Sequence, residues 1–244
     1  MSKSRADLLL VERGLFESRA KAREAIEAGL VAANGAPVRK ASDMLDAGAD
    51  IAAQAPYPWV SRGGLKLVAG LDHFGIDPAG LVCLDVGSST GGFTHVLLAR
   101  GAARIYAVDV GHGQLHPSLQ TEPRVVSLER TDARDLGAAL IPEAPQLVVC
   151  DASFISLKLV LATPLDLAAP GGRLIALIKP QFEAGRAALK KGVVRDPAIH
   201  EAVCRDIADW LASRGWKVLG LTPSPITGGD GNAEFLVGAE KSLT

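Results

Sequence analysis

Four predicted strands end on a charged residue: Asp85, Asp109, Asp151 and Lys179. The strands are short apolar runs, Leu81–Asp85, Arg104–Asp109, Gln146–Asp151 and Arg173–Lys179. One charge at such a place is ordinary. Four at the carboxyl ends of strands in one sheet indicate a site, because open α/β sheets bind their ligands there. The first strand runs through Asp85-Val-Gly-Ser-Ser-Thr-Gly-Gly-Phe93 into a helix. Gly87, Gly91 and Gly92 let the backbone approach a ligand closely, with Ser88, Ser89 and Thr90 between them. The following helix start offers free N–H groups. Asp109 is placed to accept from ribose hydroxyls, and Asp132, in Thr131-Asp-Ala-Arg134, to accept from an adenine amino group.

These positions, Asp85, Gly87 to Phe93, Asp109 and Asp132, suit an adenosine cofactor. The glycine spacing is Gly87-x-x-x-Gly91-Gly92, not the GxGxxG that a pyrophosphate requires. Asp85 repels a pyrophosphate yet favours a cationic ammonium or sulfonium. The expected cofactor is therefore S-adenosyl-L-methionine rather than a nicotinamide dinucleotide. A purely structural glycine turn is the third reading, and three aspartates in register argue against it.

The 244 residues allow one large domain or two modest ones. With 48% hydrophobic and 22% charged residues the chain is neither disordered nor a disulfide scaffold. A net charge of −1 excludes a strongly basic nucleic-acid coat but leaves room for a local basic face. Cys83, Cys150 and Cys204 form no CxxC and read as buried small hydrophobes. The apolar run Leu8–Val11 is too short for a signal peptide, and no stretch approaches a membrane span. A cytoplasmic protein with no membrane association and no obligate protein partner is expected, and no metal-ligand spacing stands out.

Residues 1–54 read as a small module. A short helix around Leu8, Leu9 and Val11 ends at Gly14, and Ser18 caps a second helix that Gly29 closes. Two short strands follow around Asn34-Gly35. This helix–helix–hairpin order, with Arg19 and Arg23 on one helix face and Arg39 and Lys40 after the turn, resembles the S4 RNA-binding domain. The resemblance implies RNA contacts from Arg5, Arg19, Lys21, Arg23, Arg39 and Lys40; the other reading is a solvated charged face. Residues 55–60, with Pro56 and Pro58, read as a linker. Trp59 at its end is either an interface plug or a base-stacking platform.

From residue 61 to 244, strand and helix patterns alternate. They predict an α/β fold, a doubly wound, mostly parallel Rossmann-like sheet with helices on both faces. Val60 to Leu67, Asp85 to Phe93, Ala107 to His112, Cys150 to Ser156 and Leu177 to Glu183 resemble the TlyA family, which pairs an S4 domain with an FtsJ-like methyltransferase domain. The resemblance spans nearly the whole chain. It implies methylation of cytidine ribose 2′-hydroxyls in ribosomal RNA of the small subunit, the large subunit or both. Some members carry a haemolysin label; no apolar span here supports a pore.

The FtsJ-like resemblance also implies a Lys-Asp-Lys-Glu tetrad, which falls on Lys66, Asp151, Lys179 and Glu234. A ribose hydroxyl is a weak acid and a sulfonium donor a strong electrophile, so alignment and removal of one proton are the main tasks. Lys179 is the expected general base. A free lysine is protonated at neutral pH, so the role needs burial or a neighbouring cation such as Lys66 to free its lone pair. The bland alternatives are a solvated helix lysine at 66 and an edge-strand carboxylate at 234. Arg62, Arg186, Lys190 and Lys191, with Arg195, are the candidate phosphate contacts beside the site. Base methylation is disfavoured: Cys150 ends an apolar strand, and Asp151-Ala-Ser-Phe154 stands where amino methylation calls for an Asn/Asp-Pro-Pro-aromatic loop. A non-catalytic RNA-binding assembly factor with a vestigial methyltransferase fold is the remaining alternative.

Overall fold

The computed structural model describes residues 3–185, 188–189, 191–228 and 231–243. The chain divides into two units between Pro58 and Trp59. In the first, β1 (Lys3–Arg5) leads into α1 (Ala6–Glu12), and α2 (Arg19–Glu27) follows. Ser18 Oγ accepts the Lys21 N–H at 3.3 Å, as an N-cap should. β2 (Val31–Ala33) and β3 (Ala36–Pro37) flank Asn34 and Gly35, both at positive φ (50° and 75°), the geometry of a type I′ hairpin turn. β4 (Met44–Asp46) pairs with β1, and β5 (Ile51–Ala53) pairs with β2. Ala6, Leu10, Ala22, Ala25, Ile26, Val31 and Val38 form a small core of their own.

In the second unit, α3 (Gly63–Phe74) precedes an alternation of strands and helices. β6 (Val82–Val86), α4 (Gly92–Ala99), β7 (Arg104–Val108), α5 (Pro117–Gln120) and β8 (Val125–Leu128) come first. Next are β9 (Leu147–Cys150), α6 (Leu157–Val160), α7 (Ala162–Leu167), β10 (Arg173–Ile178) and α8 (Pro180–Glu183). α9 (Pro197–Ser213), β11 (Trp216–Pro223) and β12 (Phe235–Lys241) complete the order. The described strands form a seven-stranded sheet in the order β11-β12-β10-β9-β6-β7-β8. It is parallel from β10 to β8, while β12 and β11 are antiparallel additions. The strand ending at Glu240–Lys241 therefore starts at Phe235, and Glu234 stands one residue before it rather than inside it.

The chain moves outward from β6 to β7 and β8, then returns to the other side of β6 with β9. That reversal is the switch point where the loops after β6 and β9 part and a crevice opens. Side chains alternate across β6: Leu84 and Val86 join the core on one face, Cys83 the core on the other. Burying a side chain such as Leu67 or Leu71 of α3 contributes about 1.5–3 kcal/mol. Gly70 lets α3 sit close to the sheet, since a Cβ there would lie 2.8 Å from Ile175 Cγ2. Lys66 is one turn earlier on the same helix face, so this contact directs it towards the ends of the strands.

Candidate functional site

The turn after β6 is shaped by backbone that few side chains tolerate. Gly87 has φ +80°, and a Cβ there would lie 2.9 Å from the Ala152 Cα. Gly91 has φ +92° and opens α4. Asp109 fastens the turn from the next strand: its Oδ2 accepts the Ser89 N–H at 2.8 Å and its Oδ1 accepts the Gly111 N–H at 2.7 Å. Asp85 lies beneath the turn, fully buried, on the β6 face that α4 covers. It accepts a 2.7 Å hydrogen bond from Thr94 Oγ1, and its Oδ1 has no hydrogen-bond partner among the described residues. Burial raises its carboxyl to about 7, the Thr94 bond opposing and the charges of Asp151 and Asp109 adding. Asp85 is thus outside the cleft wall, because alternation along β6 turns it away from the loop.

Lys66, Asp151, Lys179 and Glu234, far apart in the sequence, come together above the sheet. Lys66 Nζ is 2.6 Å from Glu234 Oε2 and 3.4 Å from Asp151 Oδ2. Lys179 Nζ is 2.7 Å from Asp151 Oδ1, and donates to the Asp151 carbonyl at 3.1 Å and to Ser153 Oγ at 2.9 Å. Lys66, Lys179 and Glu234 are each 5–6% exposed. Two ammonium groups and two carboxylates balance in charge, which offsets the desolvation that a lone buried ion would suffer.

All four line a cleft of about 800 Å³ together with Gly87, Ser88, Ser89, Thr90, Gly92, Phe93 and Arg62. A second cleft of about 590 Å³ is lined by Asp109, Thr131, Asp132 and Ala133. The two share Gly87, Ser89, Asp151, Ser153 and Phe154, so they adjoin along the switch point. Asp132 is also gripped by the Arg134 guanidinium at 2.6 Å and accepts the Arg134 N–H at 2.9 Å; these bonds hold its carboxyl below the ordinary range. Among the described residues no cluster of three His, Cys, Asp or Glu side chains is arranged to hold a metal.

Several residues of this region carry no signal in the sequence. Ser153 and Thr94 are partners of Lys179 and Asp85. Gln181 lines the larger cleft with its Oε1 buried and without a partner among the described residues. Phe154, 89% exposed with φ +66°, stands at the rim against Phe182, ring centroids 5.1 Å apart. Glu129 accepts the backbone N–H groups of Gly113, Gln114 and Leu115 at 2.7–3.0 Å; these bonds lower its carboxyl to about 2. It thereby shapes the loop that follows Asp109. Trp59 stacks edge-on to His95, with centroids 5.5 Å apart, and covers Gly64.

In the first unit, Arg5 and Arg19 both turn onto the buried carboxylate of Asp7, at 3.0 and 2.7 Å. Lys21 pairs with Glu17 at 2.7 Å. Arg23, Arg39 and Lys40 are exposed. In the second unit Arg62, Lys191 and Arg195 are exposed, while Arg186 and Lys190 lie outside the described residues.

The FtsJ-like methyltransferase family model matches residues 59–241, and the S4 domain model matches residues 4–51. YqxC of Bacillus subtilis (strain 168) is 46% identical over 96% of this chain and 85% of its own length. The 16S/23S rRNA (cytidine-2′-O)-methyltransferase TlyA of Mycobacterium tuberculosis (strain ATCC 25618 / H37Rv) is 44% identical over 96% of this chain and 89% of its own. A solved structure from Streptococcus thermophilus that carries a hemolysin label superposes with a TM-score of 0.78 at 41% identity, over 99% of this chain and 90% of that one. Among the described residues no helix is long and apolar enough to cross a membrane.

Proposed function

The chain belongs to the TlyA family of S4-bearing FtsJ-like methyltransferases, and from that premise we propose that it methylates the ribose 2′-hydroxyl of a cytidine in ribosomal RNA. The observation that carries this reading is the carboxylate of Asp151, set between the ammonium groups of Lys66 and Lys179 at the floor of the larger cleft. The relative named for cytidine-2′-O methylation of 16S and 23S rRNA supports the substrate class.

When bound, S-adenosylmethionine supplies an electrophilic methyl group on a cationic sulfur. The turn fits such a group: Gly87, Ser88, Ser89, Thr90, Gly92 and Phe93 line the cleft, whereas Gly91 is packed against Leu115 and Leu119 and lines neither cleft, and an orphaned carboxylate oxygen of Asp85 lies below the turn. Those lining residues would hold it from the turn. Asp109 and Asp132 in the second cleft would take its hydroxyl and amino donors. Asp109 already accepts one backbone N–H on each oxygen, and each oxygen keeps a further lone pair for a ligand.

Lys179 is the base. Its nitrogen has three oxygen neighbours, an Asp151 carboxylate oxygen in an ion pair and the Asp151 carbonyl and Ser153 hydroxyl, to which it donates. A ribose hydroxyl enters by displacing Ser153 Oγ, the uncharged side chain among them. Lys179, in its neutral form, would take the proton of the hydroxyl as the hydroxyl oxygen bonds to the methyl carbon and the carbon–sulfur bond breaks, leaving a neutral thioether. Asp151 keeps both ammonium groups in place, and Glu234 anchors Lys66. The exposed Arg62 and Lys191, and in the S4 unit Arg23, Arg39 and Lys40, are suited to phosphate contacts.

Methyl-tritiated S-adenosylmethionine, purified protein and separated ribosomal subunits test the reading. Label in an alkali-resistant dinucleotide containing cytidine is expected, because a 2′-O-methyl group blocks alkaline cleavage. Label on a base, or RNA binding without label, would overturn it in favour of base methylation or of a non-catalytic assembly factor.

A further inference from the structure

Glu183 closes α8, four residues after Lys179. Its Oε2 accepts from Ser156 Oγ at 2.6 Å, and its Oε1 accepts from the Leu157 N–H at 2.8 Å. Both donors sit at the far end of the loop that begins at Asp151. The near end of that loop is tied to Lys179 through the Asp151 carboxylate and carbonyl and through Ser153 Oγ. Two segments are thus joined twice, once at Lys179 and once at Glu183, and the four joined positions form a closed ring of bonds.

Phe154 shows that this loop is held under constraint. Its φ of +66° is one that bulky side chains adopt only where their surroundings over-determine it. The ring is 89% exposed, so its own burial does not hold the conformation. What holds it is the ring contact with Phe182 of α8 and the bonding at either end of the loop. Ser156 is also the N-cap of α6, accepting the Lys158 N–H at 3.3 Å, so the bond to Glu183 fixes where that helix starts.

We propose that Glu183 is a positioning residue for the methyl transfer: its carboxylate fastens the loop after β9 to α8 and so sets the spacing between Asp151, Ser153 and Lys179. The proposal rests on the role given to Lys179 above. Glu183 does not reach the reacting atoms, and its effect runs through the loop. Glutamine at this position keeps the geometry in principle, since its amide oxygen can accept from Leu157 N–H and its amide nitrogen can donate to Ser156 Oγ. Alanine removes both bonds.

The test compares wild type, Glu183→Ala, Glu183→Gln and Ser156→Ala, each first assayed by calorimetry for binding of S-adenosylhomocysteine to show that the site is folded. Glu183→Ala is expected to lower kcat by about tenfold to a hundredfold, the range that a misplacement near 1 Å produces. Glu183→Gln is expected to recover kcat to within a few-fold of wild type. Hydrogen exchange in Glu183→Ala should quicken in peptides covering residues 151–160 and remain unchanged in the strands. An unchanged kcat in Glu183→Ala, equal impairment of the Ala and Gln variants, or unaltered exchange at 151–160 would each overturn the proposal. If Glu183→Ala binds no S-adenosylhomocysteine, Ser156→Ala decides, with an intermediate loss of kcat expected and wild-type kcat contradictory. Failure of the wild type itself to label ribose would instead overturn the functional reading, and the exchange result would still judge the clamp.

Discussion

Lys66 and Lys179 share one carboxylate: Asp151 presents Oδ2 to the first at 3.4 Å and Oδ1 to the second at 2.7 Å. The two are not equivalent. Lys66 has a nearer partner in Glu234 at 2.6 Å, whereas Lys179 takes its remaining bonds from a carbonyl and a hydroxyl. Among the described residues a neutral, exchangeable partner stands only at Lys179, which is why the proposed function places the reacting hydroxyl there and gives Lys66 the anchoring role.

Asp85 predicts an unusual pH dependence of stability. Its carboxyl is raised by burial to about 7 in the folded protein, above its ordinary value of 3.8. The folded state therefore binds this proton more tightly than the unfolded one, and the stability it confers is present at low pH and lost as pH rises towards 7. Replacing it by the neutral isostere removes that loss. The difference in Tm between Asp85→Asn and wild type is expected to move in favour of the variant from about pH 4 to about pH 7 and then level off. A difference independent of pH would show that Asp85 stays ionised throughout.

Glu129 lines neither cleft. Three backbone N–H bonds hold its carboxyl near 2, below the ordinary 4.5, and shape the loop beyond Asp109. The stability from these bonds is present above the ordinary carboxylate range and is lost as pH falls towards 2. Glu129→Ala is expected to weaken binding of S-adenosylmethionine by about tenfold in calorimetry, the equivalent of about 1.4 kcal/mol. Unchanged affinity would detach the loop from the cofactor site.

In the S4 unit Arg5 and Arg19 pair with Asp7, whereas Arg23, Arg39 and Lys40 are exposed and, on the proposed function, meet RNA. Arg5 above all, with Arg19, keeps the Asp7 carboxyl well below the ordinary range against the opposing effect of its burial. Arg5→Ala and Arg19→Ala are expected to lower the Tm of this unit at neutral pH, and the difference from wild type is expected to shrink as pH falls below the ordinary carboxylate range, where the stability from the lowered Asp7 carboxyl is lost. Arg23→Ala, Arg39→Ala and Lys40→Ala leave Tm unchanged and each flatten the salt dependence of RNA binding by about one counterion. Filter binding across a salt series checks this; equal slopes for all variants would remove the S4 face from the interface.

The sequence makes the sheet legible through local pattern, whereas the tetrad is implied only by the FtsJ-like resemblance, since Lys66 lies on a helix and Glu234 stands before an antiparallel strand. Apolar runs ending on Asp109 and Asp151 are strands, the glycines after Asp85 are a turn, and the charges then meet wherever the parallel strands end together. The S4 hairpin is legible for the same reason, through Asn34-Gly35. Strands of three residues such as β1, β4 and β5 are too short to show periodicity. Glu129, Glu183 and Ser153 are silent for a different reason. Their partners are backbone N–H groups, a serine hydroxyl and an ammonium brought close only by tertiary packing, and no residue spacing encodes that. The inward turn of Asp85 is a matter of strand phase, which the position of α4 decides.

Transfer of tritium from labelled S-adenosylmethionine to ribosomal RNA by Lys179→Ala, set beside wild type at saturating cofactor, tests the central claim most directly. The account predicts that the variant still binds the cofactor and that its transfer falls by about a thousandfold, within the range expected for loss of a general base. Equal labelling by the two proteins would contradict it.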